Sequence, residues 1–167
     1  MNRSHHPLGL VCDRGGAAAV EFALILPLMS VLLFGFFETG RMFYTFNIAS
    51  AAARDAARFG ARLPMTCAGF VNGTDETRVK TLAATGDANV GADPLIKGMT
   101  TANIAVTYAC VSNAGSPRPY AGIYEDATGV PTLTVTVNAP FQTVFGSLLP
   151  ALDVNGMSVS HSETWTE

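Results

Sequence analysis

Residue types that perform chemistry are few in this chain, and they form no recognisable catalytic or metal-binding pattern. Two of the three histidines lie in the N-terminal segment, and His161 stands alone near the C-terminus, where it is expected to be a surface residue. Asp87, Asn89 and Asp93 alternate as calcium ligands do, but the loop lacks the glycine and the bidentate glutamate of an EF-hand. We therefore expect no enzymatic activity, no metal and no cofactor.

Glu21 has the most unusual surroundings of the charged residues. It lies within the run "AAAVEFALILPLMSVLLFGFF", residues 17–37, which is otherwise apolar apart from Ser30. An ionised carboxylate at the edge of a membrane span is costly and often functional. One interpretation is that Glu21 marks the membrane boundary and reaches the lipid headgroups. The other is that it pairs with a cation among packed helices, and spacing alone leaves both open.

The apolar run is long enough to cross the hydrocarbon core of a bilayer as a helix, at about 1.5 Å per residue. No proline follows Pro27 until Pro64, and the sequence between them is rich in alanine. The pattern predicts one helix over residues 17–63, with 17–37 in the membrane and 38–63 amphipathic. Residues 1–16 would then be a cytoplasmic leader, and residues 64–167 would form an exported head.

The second half of this predicted helix has an apolar side and a basic side. Arg54, Arg58 and Arg62 are spaced four residues apart and form one row, which is usually a solvated helix face. A sharper hypothesis is that the row contacts acidic side chains of the head or of an adjacent subunit. The apolar positions recur with helical spacing, and we expect them to cover a sheet: Met42, Phe46, Ala49, Ala53, Ala56 and Leu63.

The sequence of the head, residues 64–167, predicts a small antiparallel sheet. A short helix is expected in "TDETRVKTLAAT", and alternating apolar residues predict strands in "TANIAVTYACV", "PTLTVTVNAP" and "NGMSVSHSETW". "FQTVFGSLLP" is expected to be a short helix or irregular. The fold class is therefore α+β, with a long N-terminal helix packed on a small antiparallel sheet, because such a sheet needs a cover on its apolar face.

Composition and cysteine usage agree with an anchored, exported protein. Hydrophobic residues make up 49% of the chain and charged residues 14%, and the net charge is −3. Nothing in the basic residues suggests a nucleic-acid partner. Cys12 would stay in the cytoplasm, so Cys67 and Cys110 form an even pair in the head. We expect a disulfide between them, the alternative being two buried free thiols.

The segment "RGGAAAVEFALILPL" followed by "FGFFETGRMFYTFNIASAAARDAARFGA" resembles the N-terminal signature of TadE-like proteins, minor pilins or pseudopilins of tight-adherence (Tad/Flp) type IV pili. The family pattern is a basic leader ending in glycine, four residues, a glutamate and an aromatic residue, then a hydrophobic helix. Gly16, Glu21 and Phe22 occupy these positions. "VTVNAPFQTVFGSLLP" also resembles the family's ending. Phe22 departs from the tyrosine usual in major pilins, which favours a minor subunit.

The resemblance implies a pilin-like fold and cleavage by prepilin peptidase between Gly16 and Ala17, which makes Glu21 the fifth mature residue. It implies that Glu21 and Phe22 serve subunit assembly, and that the protein acts in pilus assembly, initiation or adhesion. The implied partners are the peptidase, major and minor pilins, the inner-membrane assembly platform and, before assembly, membrane lipid. The implied location is the inner membrane with a periplasmic head, and then the pilus or cell surface.

An alternative function needs no cleavage. The protein would then be an uncleaved, single-pass membrane protein with a periplasmic binding or scaffolding head. Gly16, Ala17 and Glu21 distinguish the two functions, because an uncleaved anchor does not need them.

Overall fold

The computed structural model of the chain describes residues 14–89, 91–111, 129–144 and 156–164. These residues form an α+β structure with a long N-terminal helix and a small antiparallel sheet, as predicted, and a second sheet of two short strands. The elements, in chain order, are α1 (Arg14–Gly60), β1 (Met65–Thr66), β2 (Gly69–Phe70), α2 (Gly73–Thr85), a 3₁₀ turn (Thr101–Asn103), β3 (Ile104–Val111), β4 (Val130–Ala139) and β5 (Met157–Thr164).

Helix α1 ends three residues earlier than the sequence predicts. Beyond Gly60 the N–H groups of Arg62 and Leu63 donate to the carbonyls of Phe59 and Gly60, three residues back, at 3.2 and 3.0 Å. Such bonds tighten the last turn and satisfy carbonyls that the helix leaves without partners. The chain divides into two compact units, residues 1–37 and residues 38–167.

The first unit is helical over its described residues. Its apolar side chains are exposed, with Leu24 at 76% and Phe36 at 75% exposure. Ser30 lies in the middle of the run, and its hydroxyl donates to the carbonyl of Leu26 at 2.8 Å. Bonding of this kind to the preceding turn satisfies a hydroxyl donor where no water is at hand.

The second unit contains a three-stranded antiparallel sheet with β4 in the centre, in the order β3-β4-β5. The register pairs Val106 with Val135 on one side and Val135 with His161 on the other. Alternate residues of β4 are fully buried, namely Leu133, Val135 and Val137. The intervening threonines lie on the opposite face, as expected for a strand with side chains on alternating sides.

Alanines of α1 cover the buried face of this sheet. Ala49, Ala53 and Ala56 are completely buried in one cluster with Leu133 and its neighbours on β4. Their small side chains let the helix backbone lie close to the strands. Gly60 continues this close approach, because a Cβ added there would collide with the Leu133 side chain.

Other positions on the predicted apolar side of α1 differ from the alanines. Leu63 is half-buried and packs against the core, and Met42 is also half-buried. Phe46 is 44% exposed, so its predicted role in covering the sheet was wrong. Glu38 and Ala49, before and after Phe46 on the same helix, are buried, so Phe46 lies on a side of α1 that the second unit does not cover.

Helix α2 matches its predicted position, but the short hairpin before it was not predicted. α2 ends at Gly86, whose positive φ of 79° suits a C-cap and whose N–H donates to the Leu82 carbonyl at 2.8 Å. β1 and β2 pair through Met65 opposite Phe70. Residues 141–144 form no helix or strand, and the rest of "FQTVFGSLLP" lies outside the described residues.

Candidate functional site

The predicted cleavage and assembly residues lie together at the beginning of α1. Gly16, Ala17, Glu21 and Phe22 are helical and exposed, and Phe22 has 66% exposure. Among the described residues, no atom outside the adjoining turn of the helix lies within 4 Å of the place where a Cβ on Gly16 would sit. A larger side chain at Gly16 therefore meets no obstacle from the described part of the fold.

The helix that follows these residues is long and apolar enough to cross a membrane. The most apolar window of Gly16–Gly60 has a mean hydropathy of 2.3, and none of that window is buried within the protein. A run of apolar side chains exposed in this way requires a non-aqueous partner. A single N-terminal apolar helix of this kind fits membrane anchoring.

Glu38 is a functional candidate that sequence reasoning missed. It is the first residue of the second unit, and it is only 5% exposed. Its carboxylate accepts hydrogen bonds from Arg41 Nη1 at 3.2 and 3.4 Å and from the Val144 N–H at 3.3 Å to each oxygen. Its partner Val144 is 106 residues away in the sequence, so no local sequence pattern predicts the contact. Glu38 thus joins α1 to the segment after β4.

A groove of about 680 Å³ adjoins this contact. Arg41 lies over the ring of Phe141, with its Cζ 5.5 Å from the ring centroid, and so reinforces the same junction. The groove is lined by residues from α1, from the loop before the 3₁₀ turn and from the segment after β4, including Arg41, Tyr44, Leu95, Lys97, Phe141 and Val144.

The predicted disulfide is present. Cys67, in the turn between β1 and β2, is bonded to Cys110 on β3, and the two Cα atoms are 5.1 Å apart. Phe70 meets the ring of Tyr108 edge to face, with the centroids 5.5 Å apart. Gly69 lies beneath the same ring, since a Cβ there would be 3.4 Å from it. The hairpin is thus attached to β3 by one covalent bond and by aromatic packing.

Tyr108 also connects β3 to α2. Its hydroxyl donates to Glu76 Oε2 at 3.1 Å, and Lys80 Nζ lies 2.7 Å from Glu76 Oε1. The hydrogen bond from Lys80 is the main cause that lowers the pKa of Glu76. Burial, followed by the neighbouring Glu76 charge, raises the pKa of the Tyr108 phenol. The phenol therefore stays protonated and remains a donor at neutral pH.

The arginine row is exposed, and one of its members reaches a carboxylate of the head. Arg58 Nε lies 3.7 Å from Glu163 Oε1 on β5. Among the ion pairs of the described residues, neither Arg54 nor Arg62 takes part. Contact between the row and an adjacent subunit stays a prediction.

His161 differs from the isolated surface residue that its sequence position predicts. It is half-buried, and its Nε2 lies 2.9 Å from the same Glu163 oxygen that Arg58 approaches. The pairing arises because residues 161 and 163 share one face of β5. The spacing of two residues between His161 and Glu163 in a predicted strand was visible in the sequence, so this contact could have been predicted.

The weak calcium pattern has another local explanation. The backbone N–H and the side-chain amide of Asn89 both donate to Asp87 Oδ1 at 2.9 Å, which is a turn stabilised by an aspartate. Within the described parts of the chain, no group of three or more His, Cys, Asp or Glu residues is arranged to hold a metal ion.

Comparison with known proteins identifies the N-terminal segment. The model of the family described as TadE-like protein matches residues 16–58, about a quarter of the chain. This confirms the resemblance drawn from the cleavage segment and the helix, and the matched part includes Glu21, Arg54 and Arg58. It does not include Arg62 or the head beyond α1. No curated protein and no solved structure matches the chain.

Proposed function

We propose, starting from the TadE-like character of residues 16–58, that this protein is a minor pilin of a Tad-type pilus and that a prepilin peptidase cuts it between Gly16 and Ala17. The observation that carries the proposal is one continuous arrangement. Gly16 precedes three alanines, Glu21 and Phe22 follow, and an exposed apolar helix leads directly into a disulfide-bonded head.

Cleavage supplies the chemistry that gives Glu21 a role. It frees the α-amino group of Ala17, four residues before Glu21, and the resulting ammonium pairs with the carboxylate within the chain or on a neighbouring subunit. Burying a lone carboxylate among helices costs several kcal/mol, and an opposite charge with good geometry offsets much of that cost. A subunit that has been cut is therefore suited to dock into a bundle of helices, and an uncut one is not.

In this proposal the protein is a structural subunit and not an enzyme. It waits in the inner membrane with its head in the periplasm, and its helix then leaves the lipid for the filament. Its partners are the peptidase, other major and minor pilins and the assembly platform. On the pilus or cell surface, the head takes part in initiating assembly or in adhesion. The disulfide supports an oxidising location for the head.

The test is the intact mass and the N-terminal peptide of the full chain, expressed with and without a Tad-type prepilin peptidase. We expect a mature chain that begins at Ala17 and appears only with the peptidase. The Gly16→Leu variant is expected to remain full length, because a bulky side chain obstructs entry of the backbone into the protease. Among the described residues, no atom outside the adjoining turn of the helix lies within 4 Å of the added Cβ, so the substitution leaves the packing of the described residues unchanged.

The matched control is Gly35→Leu. Gly35 lies in the same helix, and a Cβ there also meets no atom within 4 Å, but the position is far from the cleavage site. This variant should be cut like the wild type. A wild-type chain that stays full length beside an active peptidase would refute the pilin proposal and favour the uncleaved, membrane-anchored binding or scaffolding protein.

A further inference from the structure

Apolar side chains remain exposed beyond the predicted membrane span, on the part of α1 that follows it and in two loops of the second unit. On α1 they are Phe43 at 59%, Tyr44 at 70% and Phe46 at 44% exposure, and the alanines of the same helix are buried against the sheet. Leu95 and Val144 add 42% and 57% exposed side chains, and both line the groove together with Tyr44. We call these five residues the apolar collar.

Cations accompany the apolar collar. Of the described residues that line the groove, two are charged, Arg41 and Lys97, and both are basic. Aromatic rings with exposed edges, beside cations on long apolar stems, are typical of protein surfaces at the headgroup level of a bilayer. The aromatic body enters the acyl boundary while the cation reaches lipid phosphates.

When the span is counted from Phe22, the length of the helix places the three aromatic residues of the apolar collar at that level. A hydrocarbon core of about 30 Å takes about 20 helical residues. Counted from Phe22, the first residue after Glu21, such a span extends to Arg41. The aromatic residues of the collar follow within the next five positions, where the headgroup layer begins. The span would then run past Phe37, where the apolar run ends.

This position of the membrane boundary gives a reason for the burial of Glu38. Within a span that ends at Arg41, the Glu38 carboxylate would lie near the edge of the hydrocarbon, where an ionised group is costly. The protein itself covers this group, leaving it 5% exposed and bonded to Arg41 and the Val144 N–H. A carboxylate facing water at that position would not need such cover.

We propose that the apolar collar lies in the headgroup and upper acyl layer of the phospholipid bilayer that carries the span, with Arg41 and Lys97 at lipid phosphates. This surface is a second membrane contact, made by the head and not by the transmembrane run. The proposal depends on membrane anchoring, which the pilin and the uncleaved alternative share. It does not depend on cleavage at Gly16.

The experiment measures where spin labels on the full chain lie relative to lipid. The chain carries Cys12→Ser, keeps the Cys67–Cys110 disulfide and receives one added cysteine, Tyr44→Cys or Val144→Cys. It is reconstituted in vesicles of phosphatidylcholine and phosphatidylglycerol. Collisions of each label with oxygen, which enters lipid, are compared with collisions with a nickel chelate, which stays in water.

Two further labelled positions calibrate the result. Leu24→Cys reports the membrane interior, and Thr77→Cys reports water, because Thr77 lies exposed on α2. We expect the labels at positions 44 and 144 to favour oxygen over nickel, as at position 24 and opposite to position 77. All four side chains are exposed, so the substitutions leave the packed core intact.

Three outcomes would overturn the inference. Labels at 44 and 144 that collide with nickel as often as the label at 77 would place the apolar collar in water. Labels protected from both reagents would show a second copy or another protein covering it. A nickel-accessible label at 24 would refute membrane anchoring itself. Cleavage is measured separately, by the intact mass of the chain. A failure of the cleavage proposal can therefore be distinguished from a failure of the membrane-contact proposal.

Discussion

At the scale of single residues, Glu38 is expected to matter more to stability than any surface charge of the head. Its carboxylate is held by Arg41 and by the Val144 N–H, and it is nearly inaccessible to solvent. When one partner of a buried pair is removed, the groups that remain are buried without a hydrogen-bond partner, and this lowers the free energy of unfolding. Arg41 is 37% exposed at its side chain and can turn to water, which limits that cost.

We predict that Glu38→Ala lowers the free energy of unfolding by about 1–3 kcal/mol, because it strands the Val144 N–H and frees Arg41. Glu38→Gln should cost less, since its amide oxygen still accepts from the Val144 N–H. The measurement is thermal unfolding of the full chain in detergent micelles, followed by near-ultraviolet circular dichroism.

The control for Glu38 is Glu163→Gln, which changes two partly exposed contacts of Glu163, with Arg58 and with His161. Glu163 lies 3.7 Å from Arg58, whose side chain is 66% exposed, so the loss should stay below about 1 kcal/mol. Equal stability losses for Glu38→Ala and Glu163→Gln would contradict a structural role for Glu38.

At the scale of elements, the hairpin β1–β2 is too short to hold its position by pairing alone. Each strand has two residues, and an isolated hairpin of that size is not stable in water. Its position therefore depends on the Cys67–Cys110 bond and on the packing of Phe70 against Tyr108. The covalent bond should account for most of the effect.

We predict that the double variant Cys67→Ser, Cys110→Ser lowers the free energy of unfolding by about 4 kcal/mol. The bond closes a loop with a sequence separation of 43, and the chain-entropy model assigns about that value to such a loop. Chemical denaturation of the full chain in micelles measures this change in the free energy of unfolding.

Tyr108→Phe, which keeps the ring and removes only the hydroxyl bonded to Glu76, should cost about 1 kcal/mol. A double variant no less stable than Tyr108→Phe would show that the disulfide does not support the head.

The elements that could be predicted from sequence are those with a local period. Ala49, Ala53 and Ala56 repeat with helical spacing, and Leu133, Val135 and Val137 alternate, so both faces of the core were visible in the sequence. The hairpin β1–β2 has no such period, because two residues are too few to show alternation. Cys67 of this hairpin was predicted to be disulfide-bonded because two cysteines remain in the head once Cys12 is assigned to the cytoplasm. The turn of the hairpin was not predicted.

The candidate site was predictable to the extent that it lies in continuous sequence. Gly16, Ala17, Glu21 and Phe22 are close together in the chain, and the motif is readable without a fold. Glu38 was missed because its contact with Val144 joins segments 106 residues apart. The exposure of Phe46 was missed because helical period alone does not reveal how wide the covered side of α1 is.

At the scale of the whole molecule, the chain divides into two compact units, and the residues proposed for assembly lie in a different unit from the core of the head. Glu21 is exposed in the first unit, whereas the core cluster that holds the head together belongs to the second. Substitutions in separate units without shared partners act independently on stability. A change at Glu21 should therefore affect what the helix docks against and leave the folding of the head unchanged.

We predict that Glu21→Gln reduces incorporation of the mature protein into pili at least about tenfold, which corresponds to about 1.4 kcal/mol of lost docking free energy. The amide keeps the size of the side chain but cannot neutralise the α-ammonium of Ala17. Incorporation is measured by immunoblotting sheared pili against total cell protein.

Glu163→Gln, which removes one carboxylate from the head, serves as the charge-matched control and should assemble normally. The thermal midpoint of the head should be the same in Glu21→Gln as in wild type, so that reduced incorporation reflects docking and not folding. Incorporation of Glu21→Gln at the wild-type level would mean that the carboxylate only marks the membrane boundary.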